Sequence, residues 1–144
     1  MKKKKIGYTC EVCDLFHVGH LNLLERCKTK CDYLMVGICD DEYVRTVKNK
    51  EPIINQEDRA RIVGALKCVD EVFIVDTKTT VDKVWAHKNR PFDVLFAGDD
   101  WKGSERFEQT VRDFEENGLD VEIVFFPYTQ SVSTSKLREK LKQG

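Results

Sequence analysis

Residues 33–39 read Tyr-Leu-Met-Val-Gly-Ile-Cys, an almost continuous apolar run. A run of this kind predicts a strand that is buried on both faces, because a half-buried strand alternates apolar and polar residues. Strands buried on both faces occur in parallel sheets whose two sides are covered by helices. The run therefore predicts an α/β protein, in which the flanking segments alternate between helix and strand.

The rest of the chain alternates in this way. Short apolar runs predict four further strands, at Lys5–Cys10, Glu71–Val75, Asp93–Ala97 and Val121–Phe126. Apolar residues at helical spacing predict helices at His20–Lys28, Gln56–Lys67, Val81–His87, Ser104–Asn117 and Ser133–Lys142. The sequence thus predicts an α/β fold with a Rossmann-like parallel sheet of about five strands and helices on both faces, in a single domain over residues 1–144.

Charge and hydropathy argue against two classes of partner. The chain has 24 Lys and Arg against 25 Asp and Glu, and this near-neutral balance argues against a nucleic-acid-binding domain. No apolar stretch approaches the roughly 20 residues that span a bilayer. The basic run at residues 2–5 is not followed by the long apolar segment of a secretory signal. We therefore expect a cytoplasmic protein without a membrane span.

The six cysteines should be reduced in that compartment. Cys10 with Cys13 and Cys27 with Cys31 have spacings that fit a zinc site of four thiolates. The favoured interpretation is that the thiols are buried as small apolar groups, because Cys10 ends a predicted strand and Cys27 lies on the apolar side of a predicted helix. No metal site is therefore predicted from the cysteines.

The segment Asp14-Leu15-Phe16-His17-Val18-Gly19-His20 follows the first predicted strand and opens a helix. Parallel sheets bind ligands beyond the carboxyl ends of their strands, so this is a position where a site is expected. The segment holds two of the three histidines, and Gly19 allows a ligand to approach the backbone closely. Free N–H groups at a helix start and two imidazoles both suit phosphate. A phosphate site is predicted here, with two purely structural histidines as the alternative.

Hydroxyl side chains form a second cluster after the fifth predicted strand, within residues 128–136 (YTQSVSTSK). Hydroxyl groups at the start of a helix act either as plain N-caps or as phosphate ligands. Local context alone favours capping.

Three motifs taken together resemble the HxGH cytidylyltransferases: H-V-G-H at 17–20, G-D-D-W-K-G at 98–103 and V-S-T-S at 132–135. The G-D-D-W run is similar to that of the bacterial glycerol-3-phosphate cytidylyltransferases, and the likeness covers about residues 5–141. The resemblance implies transfer of a cytidylyl group from CTP to a phosphorylated alcohol, with glycerol 3-phosphate as the first choice and pyrophosphate as the other product. It also implies a homodimer, Mg²⁺ bound with the nucleotide phosphates, and a place in the synthesis of polymers such as teichoic acid or capsule.

Roles for particular residues follow from the resemblance. His17 and His20 would contact the CTP phosphates, and Lys48 and Lys50 would neutralise phosphate charge as the other catalytic residues. The residues implied to bind nucleotide or substrate are Cys10, Asp14, Asp41, Arg59, Lys67, Lys83, Gly98, Asp100, Thr129, Ser133 and Thr134. Without the resemblance, the lysines at 48, 50 and 83 would be interpreted as ordinary surface residues.

The implied reaction is an in-line attack by a phosphate oxygen of the alcohol on the α-phosphorus of CTP, catalysed by positioning and charge stabilisation. Two alternative functions are compatible with the same predicted fold. One is cytidylyl or adenylyl transfer to another acceptor, such as phosphocholine or phosphoethanolamine. The other is a degenerate nucleotide-binding module without turnover.

Departures from the family pattern support the degenerate alternative. Glu11 stands where the family usually has glycine before its first histidine motif, and Cys13 also differs from the usual G-x-F-D. A carboxylate beside a triphosphate would repel it and could crowd the backbone. Ser131 replaces the glycine of the late signature, while Tyr128 and Lys67 stand where arginine is common.

Overall fold

The computed structural model describes residues 3–127 and 133–143, and its centre is a five-stranded sheet. The strands are β1 (Ile6–Glu11), β2 (Tyr33–Cys39), β3 (Glu71–Val75), β4 (Val94–Gly98) and β5 (Glu122–Phe126). Neighbouring strands are parallel and run in the order β3-β2-β1-β4-β5. The predicted Rossmann-like fold is confirmed. The strand order reverses between β1 and β4, which is where such sheets bind ligands.

Seven helices and one 3₁₀ turn connect the strands within the described ranges. They are α1 (Val18–Thr29), α2 (Asp41–Thr46), α3 (Gln56–Gly64), α4 (Thr77–Val81), α5 (Lys83–Asn89), the turn Asp99–Trp101, α6 (Glu105–Glu116) and α7 (Thr134–Gln143). Side chains cap most of the helix starts and accept a backbone N–H there, namely His17, Asp40, Asn55, Asp76, Asp82 and Ser104.

The strand predictions agree with the structure to within one residue, but three helical predictions need correction. The helix predicted at Val81–His87 lies at Lys83–Asn89, because Asp82 leaves helical geometry and caps α5, while Val81 ends the separate helix α4. The helix predicted to end at Lys67 ends at Gly64. Helix α1 begins two residues before the predicted start, since the His17 side chain caps it. The short helices α2 and α4 and the 3₁₀ turn were not predicted.

The core has two layers, one on each face of the sheet. On one face Leu34, Val36 and Ile38 pack with Leu24 of α1 and Val63 of α3. On the other face a second apolar cluster joins the sheet to α5 and α6; its buried members are Tyr8, Met35, Ala86, Phe92, Leu95, Ala97, Phe107 and Phe114. The helices therefore cover both faces, as predicted.

The same layering separates the cysteines. Cys13 and Cys27 belong to the first cluster, whereas Cys10 packs against the second. The four thiols of the zinc interpretation therefore do not converge, and all six cysteines are free. Over residues 3–127 and 133–143, no three His, Cys, Asp or Glu side chains are grouped so that they could hold a metal ion. The helices of these ranges also include none that is long and apolar enough to cross a membrane.

Candidate active site

A cleft of about 500 Å³ opens at the carboxyl ends of β1 and β4. It is lined by the loop after β1, the first turn of α1, the loop after α2, the start of α5, the turn after β4 and the first turns of α6 and α7. The predicted site residues that line it are Cys10, Asp14, His17, His20, Lys48, Lys50, Lys83, Asp100, Ser133 and Thr134. The structure thus brings together residues that lie far apart in the sequence, at the switch point of the sheet.

Two histidines form the start of α1. The Nδ1 atom of His17 accepts a hydrogen bond from the backbone N–H of Gly19 at 3.0 Å, and Nδ1 of His20 accepts one from the N–H of His17 at 3.1 Å. This reciprocal pair is a capping box built from imidazoles instead of the usual serine and glutamate. The two ring centroids lie 4.0 Å apart. The spacing H-x-G-H therefore fixes both rings relative to the helix start.

Both imidazoles are neutral near pH 7. Burial, with a smaller contribution from His17, lowers the pKa of His20 to about 4, and burial also lowers the pKa of His17. Because each Nδ1 accepts a backbone hydrogen bond, each neutral ring carries its proton on Nε2. The buried Nε2 of His17 has no hydrogen-bond partner within the described residues. This donor is therefore suited to an anionic oxygen of a ligand, next to the positive end of the α1 dipole.

Asp14 holds three segments of the site together. Its carboxylate accepts hydrogen bonds from the backbone N–H groups of Ile53 and Ile54, each at 2.9 Å. The same carboxylate pairs with the guanidinium of Arg138 at 2.7 Å, and the hydroxyl of Thr134 donates to the Asp14 carbonyl at 3.0 Å. The buried Asp14 therefore positions the loop after α2 and the start of α7 against the histidine segment.

Cationic side chains and one tryptophan form the opposite wall. Lys48 and Lys50 reach the cleft from either side of Asn49, whose φ of 55° makes a left-handed turn. The ring of Trp101 lies 5.2 Å from the Lys48 ammonium and 5.2 Å from the guanidinium carbon of Arg106. These cation–π contacts place Trp101 of the G-D-D-W run beside positive charge. The wall is suited to an anionic ligand with a planar part.

Lys83 lies at the floor of the cleft and is only 7% exposed. Its ammonium donates to the carbonyl of Thr80 at 2.6 Å. The sequence alone would have made this residue an ordinary surface lysine, and the structure shows that it is buried. A buried ammonium in a cleft is a strong attractor of negative charge.

Glu11 adds a negative group to the same floor. The hydroxyl of Thr9 donates to its carboxylate at 2.9 Å. Burial is the main cause that raises the pKa of Glu11 to about 7. The hydrogen bond from Thr9 is the larger opposing cause and the Lys83 ammonium the smaller one, whereas Cys10 and Asp100 raise this pKa further. A neutral carboxyl at this position tolerates phosphate, whereas its ionised form repels it.

Replacing Glu11 by glutamine should remove this titration and keep the hydrogen bond from Thr9. The Glu11 carboxyl has a pKa of about 7 in the folded chain and about 4.5 in the unfolded chain. Between these two pH values it is therefore more often protonated in the folded chain. The free energy of unfolding therefore decreases as pH rises between these values, by at most about 1.4 kcal/mol per pH unit. Urea unfolding between pH 4.5 and 8 should show that Glu11→Gln lacks this decrease. The exposed control Glu116→Gln should keep it, and identical pH profiles for all three proteins would contradict the assignment.

The backbone of the loop after β1 is bent at two residues beyond Glu11. Glu11 continues β1 and pairs with Ile38. The left-handed residues are instead Cys13 with a φ of 56° and Leu15 with a φ of 51°. Such conformations cost about 1–3 kcal/mol for residues of this kind and cluster at functional sites. Glu11 is therefore accommodated without backbone strain, and the strain flanks Asp14.

Several residues predicted to bind substrate do not line the cleft. The Arg59 side chain is fully buried and pairs with Asp41 at 2.6 Å, so these two residues act as internal ties. Lys67 is exposed and precedes β3, at the opposite end of the sheet. Gly98 is the buried last residue of β4 and does not line the cleft itself. Thr129, with Tyr128 and Ser131, lies outside the described residues.

Sequence reasoning missed several lining residues, among them Arg106, Lys136, Arg138, Tyr43 and Cys39. A signal for Arg138 existed, because it lies four residues after Thr134 and therefore on the same side of the predicted helix. Arg106 similarly lies within the first turn of the helix that follows the G-D-D-W run. Tyr43 lies on a short helix that carried no sequence signal.

Solved structures agree with the fold. The lipopolysaccharide core biosynthesis protein from Thermoplasma volcanium GSS1 matches with a TM-score of 0.77 at 24% identity, over 89% of this chain and 100% of that one. Pantoate-beta-alanine ligase from Francisella tularensis matches with a TM-score of 0.64 at 15% identity, over 99% of this chain and 70% of that one. At these identities the likeness establishes the α/β architecture alone.

A parallel sheet with a phosphate-suited cleft at its switch point is the arrangement of nucleotide-binding α/β proteins. The model of the cytidylyltransferase-like family matches residues 12–140. The glycerol-3-phosphate cytidylyltransferase of Bacillus subtilis (strain 168) is 35% identical over 144 residues, covering 96% of this chain and 97% of that protein. The chain belongs to the cytidylyltransferase-like family of nucleotidyltransferases.

Other relatives carry different names. An FAD synthase of Thermococcus onnurineus (strain NA1) is 37% identical over 134 residues, which is 90% of this chain and 86% of that protein. The bifunctional protein HldE of Koribacter versatilis (strain Ellin345) is 39% identical over 143 residues, covering 95% of this chain and 27% of that much longer protein. Family membership therefore leaves open which nucleotide and which acceptor the protein uses.

Proposed function

We propose that the protein transfers a cytidylyl group from CTP to glycerol 3-phosphate, giving CDP-glycerol and pyrophosphate. The observation that carries this proposal is the convergence of His17, His20, Lys48 and Lys50 with the first turn of α7 in the same cleft. Two helix starts, two Nε2–H donors and two ammonium groups provide the positive potential that a triphosphate requires.

The choice of CTP and glycerol 3-phosphate rests on two supports. The relative from Bacillus subtilis matches this chain over almost the full length of both proteins. In addition, the G-D-D-W run places Asp100 and Trp101 in the lining of the cleft, where the acceptor or the base would contact them.

The proposed mechanism needs no covalent intermediate. A phosphate oxygen of the acceptor attacks the α-phosphorus while the bond to the pyrophosphate leaving group breaks on the opposite side. The Nε2–H groups of His17 and His20 donate to phosphate oxygens, whose negative charge increases in the transition state. Lys48 and Lys50 neutralise the leaving pyrophosphate, and Lys83 is placed to attract the phosphate of the acceptor. Catalysis then consists of alignment and charge stabilisation.

We propose that Mg²⁺ binds together with the nucleotide. The Asp14 carboxylate is already occupied by Ile53, Ile54 and Arg138, so it is not a free metal ligand. Asp100 is an exposed carboxylate in the cleft lining. Mg²⁺ commonly uses one or two carboxylates together with substrate phosphates and water, and this donor set fits that pattern. The ion would supply additional positive charge to the triphosphate.

Adenylyl transfer is the second candidate, because the FAD synthase of Thermococcus onnurineus is slightly more similar in identity, at 37%, than the glycerol-3-phosphate cytidylyltransferase at 35%. FAD consists of an AMP unit joined to FMN, so ATP with FMN is the pair that represents this candidate. A degenerate module without turnover is the third, and the ionised form of Glu11, a residue that lines the cleft, favours it.

Pyrophosphate release from the purified protein with Mg²⁺ separates the three candidates. Release with CTP and glycerol 3-phosphate, and not with ATP and FMN, supports the proposal. Release only with ATP and FMN replaces it by the second candidate, and phosphocholine and phosphoethanolamine with CTP serve as further acceptors. No release from folded protein in any mixture supports the degenerate module. In that case Glu11→Gly should be tested first for restored pyrophosphate release.

The homodimer, the cytoplasmic location and the role in polymer synthesis stay predictions. Light scattering coupled to gel filtration would decide the first of these. A mass near the 16.7 kDa of one chain would contradict the dimer.

A further inference from the structure

Two thiols lie side by side on the floor of the cleft, and the proposed transfer uses neither. Cys10 on β1 is paired with Gly37 on β2, and Cys39 lies two residues further along β2. Side chains two residues apart in a strand share a face, so Cys10 and Cys39 point to the same side of the sheet. Their Sγ atoms are 3.5 Å apart, and both residues line the cleft.

The surroundings of this pair stabilise a thiolate at Cys10. The hydrogen bond with the Cys39 thiol is the main cause that lowers the pKa of Cys10 to about 5; burial opposes the shift, and the Lys83 ammonium favours it. The hydroxyl of Thr80, 3.8 Å from the Cys10 sulfur, acts in the same direction. Because the two thiols share one proton, the pKa of Cys39 is raised. One member of the pair is thus a nucleophile and the other keeps its proton.

The other four thiols are stabilised in their protonated form. Burial raises the pKa of Cys13, Cys27, Cys31 and Cys68 above the ordinary value for a thiol. None of these four has a second sulfur recorded within hydrogen-bond distance in the described part of the chain. A reactant that enters the cleft therefore meets a single activated sulfur.

We propose that Cys10 is a modification site for low-molecular-weight disulfides such as glutathione disulfide, and that Cys39 is the resolving thiol. The Cys10 thiolate attacks one sulfur of the disulfide, a new S–S bond forms and the other half leaves as a thiolate. Cys39 then loses its proton to that thiolate and attacks the Cys10 sulfur, which releases the second thiol. In sum, two protein thiols are oxidised to a Cys10–Cys39 disulfide and one small disulfide is reduced to two thiols.

The modification would act on the cleft directly. A mixed disulfide on Cys10 fills space beside Glu11 and Lys83, and a Cys10–Cys39 disulfide replaces the thiolate that faces Lys83. The mixed disulfide should therefore decrease ligand binding by occupying the cleft, most visibly in Cys39→Ser, and a reductant should restore it. The chemistry itself does not depend on which nucleotide the protein uses, so it can be tested without an activity assay.

Peptide mapping by mass spectrometry tests the assignment on the full chain after exposure to glutathione disulfide at pH 7. We expect a Cys10–Cys39 disulfide in the unchanged protein, and a stable adduct of one glutathione on Cys10 in Cys39→Ser. The control Cys68→Ser should give the same product as the unchanged protein. Iodoacetamide should label Cys10 about tenfold faster than Cys31 or Cys68, given the different thiolate fractions.

Adducts on Cys31 or Cys68 with Cys10 unmodified would overturn the proposal, as would an identical product in the unchanged protein and in Cys39→Ser. Lys83→Met provides a second readout, because loss of the ammonium should slow the labelling of Cys10. Circular dichroism of each variant shows whether it is folded. If Cys39→Ser does not fold, the mapping of the unchanged protein still decides between Cys10 and the other thiols.

Discussion

Replacing His17 by asparagine, or His20 by glutamine, should lower turnover by about 10²–10³-fold, the usual effect of losing a donor to a developing oxyanion. These variants are chosen because asparagine is a good N-cap and glutamine completes a capping box. The helix start is therefore kept while the imidazole is removed, so that no donor is held rigidly at the position of its Nε2–H. Pyrophosphate release under saturating substrates measures the effect. The free energy of unfolding, measured in urea, should change by less than about 1 kcal/mol.

The third histidine provides the matched control. His87 contacts the edge of Phe92 and does not line the cleft. His87→Asn should therefore turn over like the unchanged protein. If His17→Asn and His20→Gln also kept that turnover, the imidazoles would be caps and not catalytic groups.

Replacing Arg59 by methionine should lower the free energy of unfolding by about 3–5 kcal/mol, because it leaves a carboxylate and several carbonyls without their partner in a buried site. The guanidinium donates to the carbonyls of Val12, Cys39 and Ile54 at 2.7–2.9 Å, and it pairs with Asp41. It thus joins the ends of β1 and β2 to the loop before α3. Lysine cannot replace these contacts, since its single ammonium lacks the planar fork.

Arg45→Met is the matched control for this prediction. Arg45 also forms an ion pair, with Glu51, but both side chains are more than half exposed. Exposed ion pairs contribute about 0–1 kcal/mol to stability, so the free energy of unfolding measured in urea should hardly change in Arg45→Met. An Arg59→Met protein as stable as Arg45→Met would show that the buried contacts are replaced by water.

The fold was predictable because its signals are local. Five apolar runs separated by helical periodicity determine the strands to within one residue, and the parallel sheet was predicted from the run at 33–39, almost all of which is buried. The helix boundaries were less predictable, because they depend on single side chains. Asp82 shifts the start of one predicted helix to Lys83 by capping α5, and His17 starts α1 early through an unusual imidazole cap.

The lining of the cleft was predictable where several motif residues surround it. The position of a motif residue was not predictable where its side chain is buried in the protein interior. The histidines and the lysines at 48 and 50 all line the cleft. Arg59 carries the charge of a phosphate ligand, yet the structure buries it among carbonyls. Such burial depends on the packing of α3 against the strands, which no local pattern encodes. No local pattern encodes the short distance between the Cys10 and Cys39 sulfurs either, because these residues lie on two different strands.

The attachment of α7 has a consequence for local unfolding. None of the residues of α7 is fully buried, and the helix is joined to the histidine segment through the contacts of Thr134 and Arg138 with Asp14, 120 and 124 positions away. Segments with few buried apolar contacts open at a smaller free-energy cost than the sheet. Helix α7 should therefore detach and redock while the core stays folded. A ligand whose phosphates bind Ser133 and Thr134 would favour the docked state, so that its own binding completes the pocket.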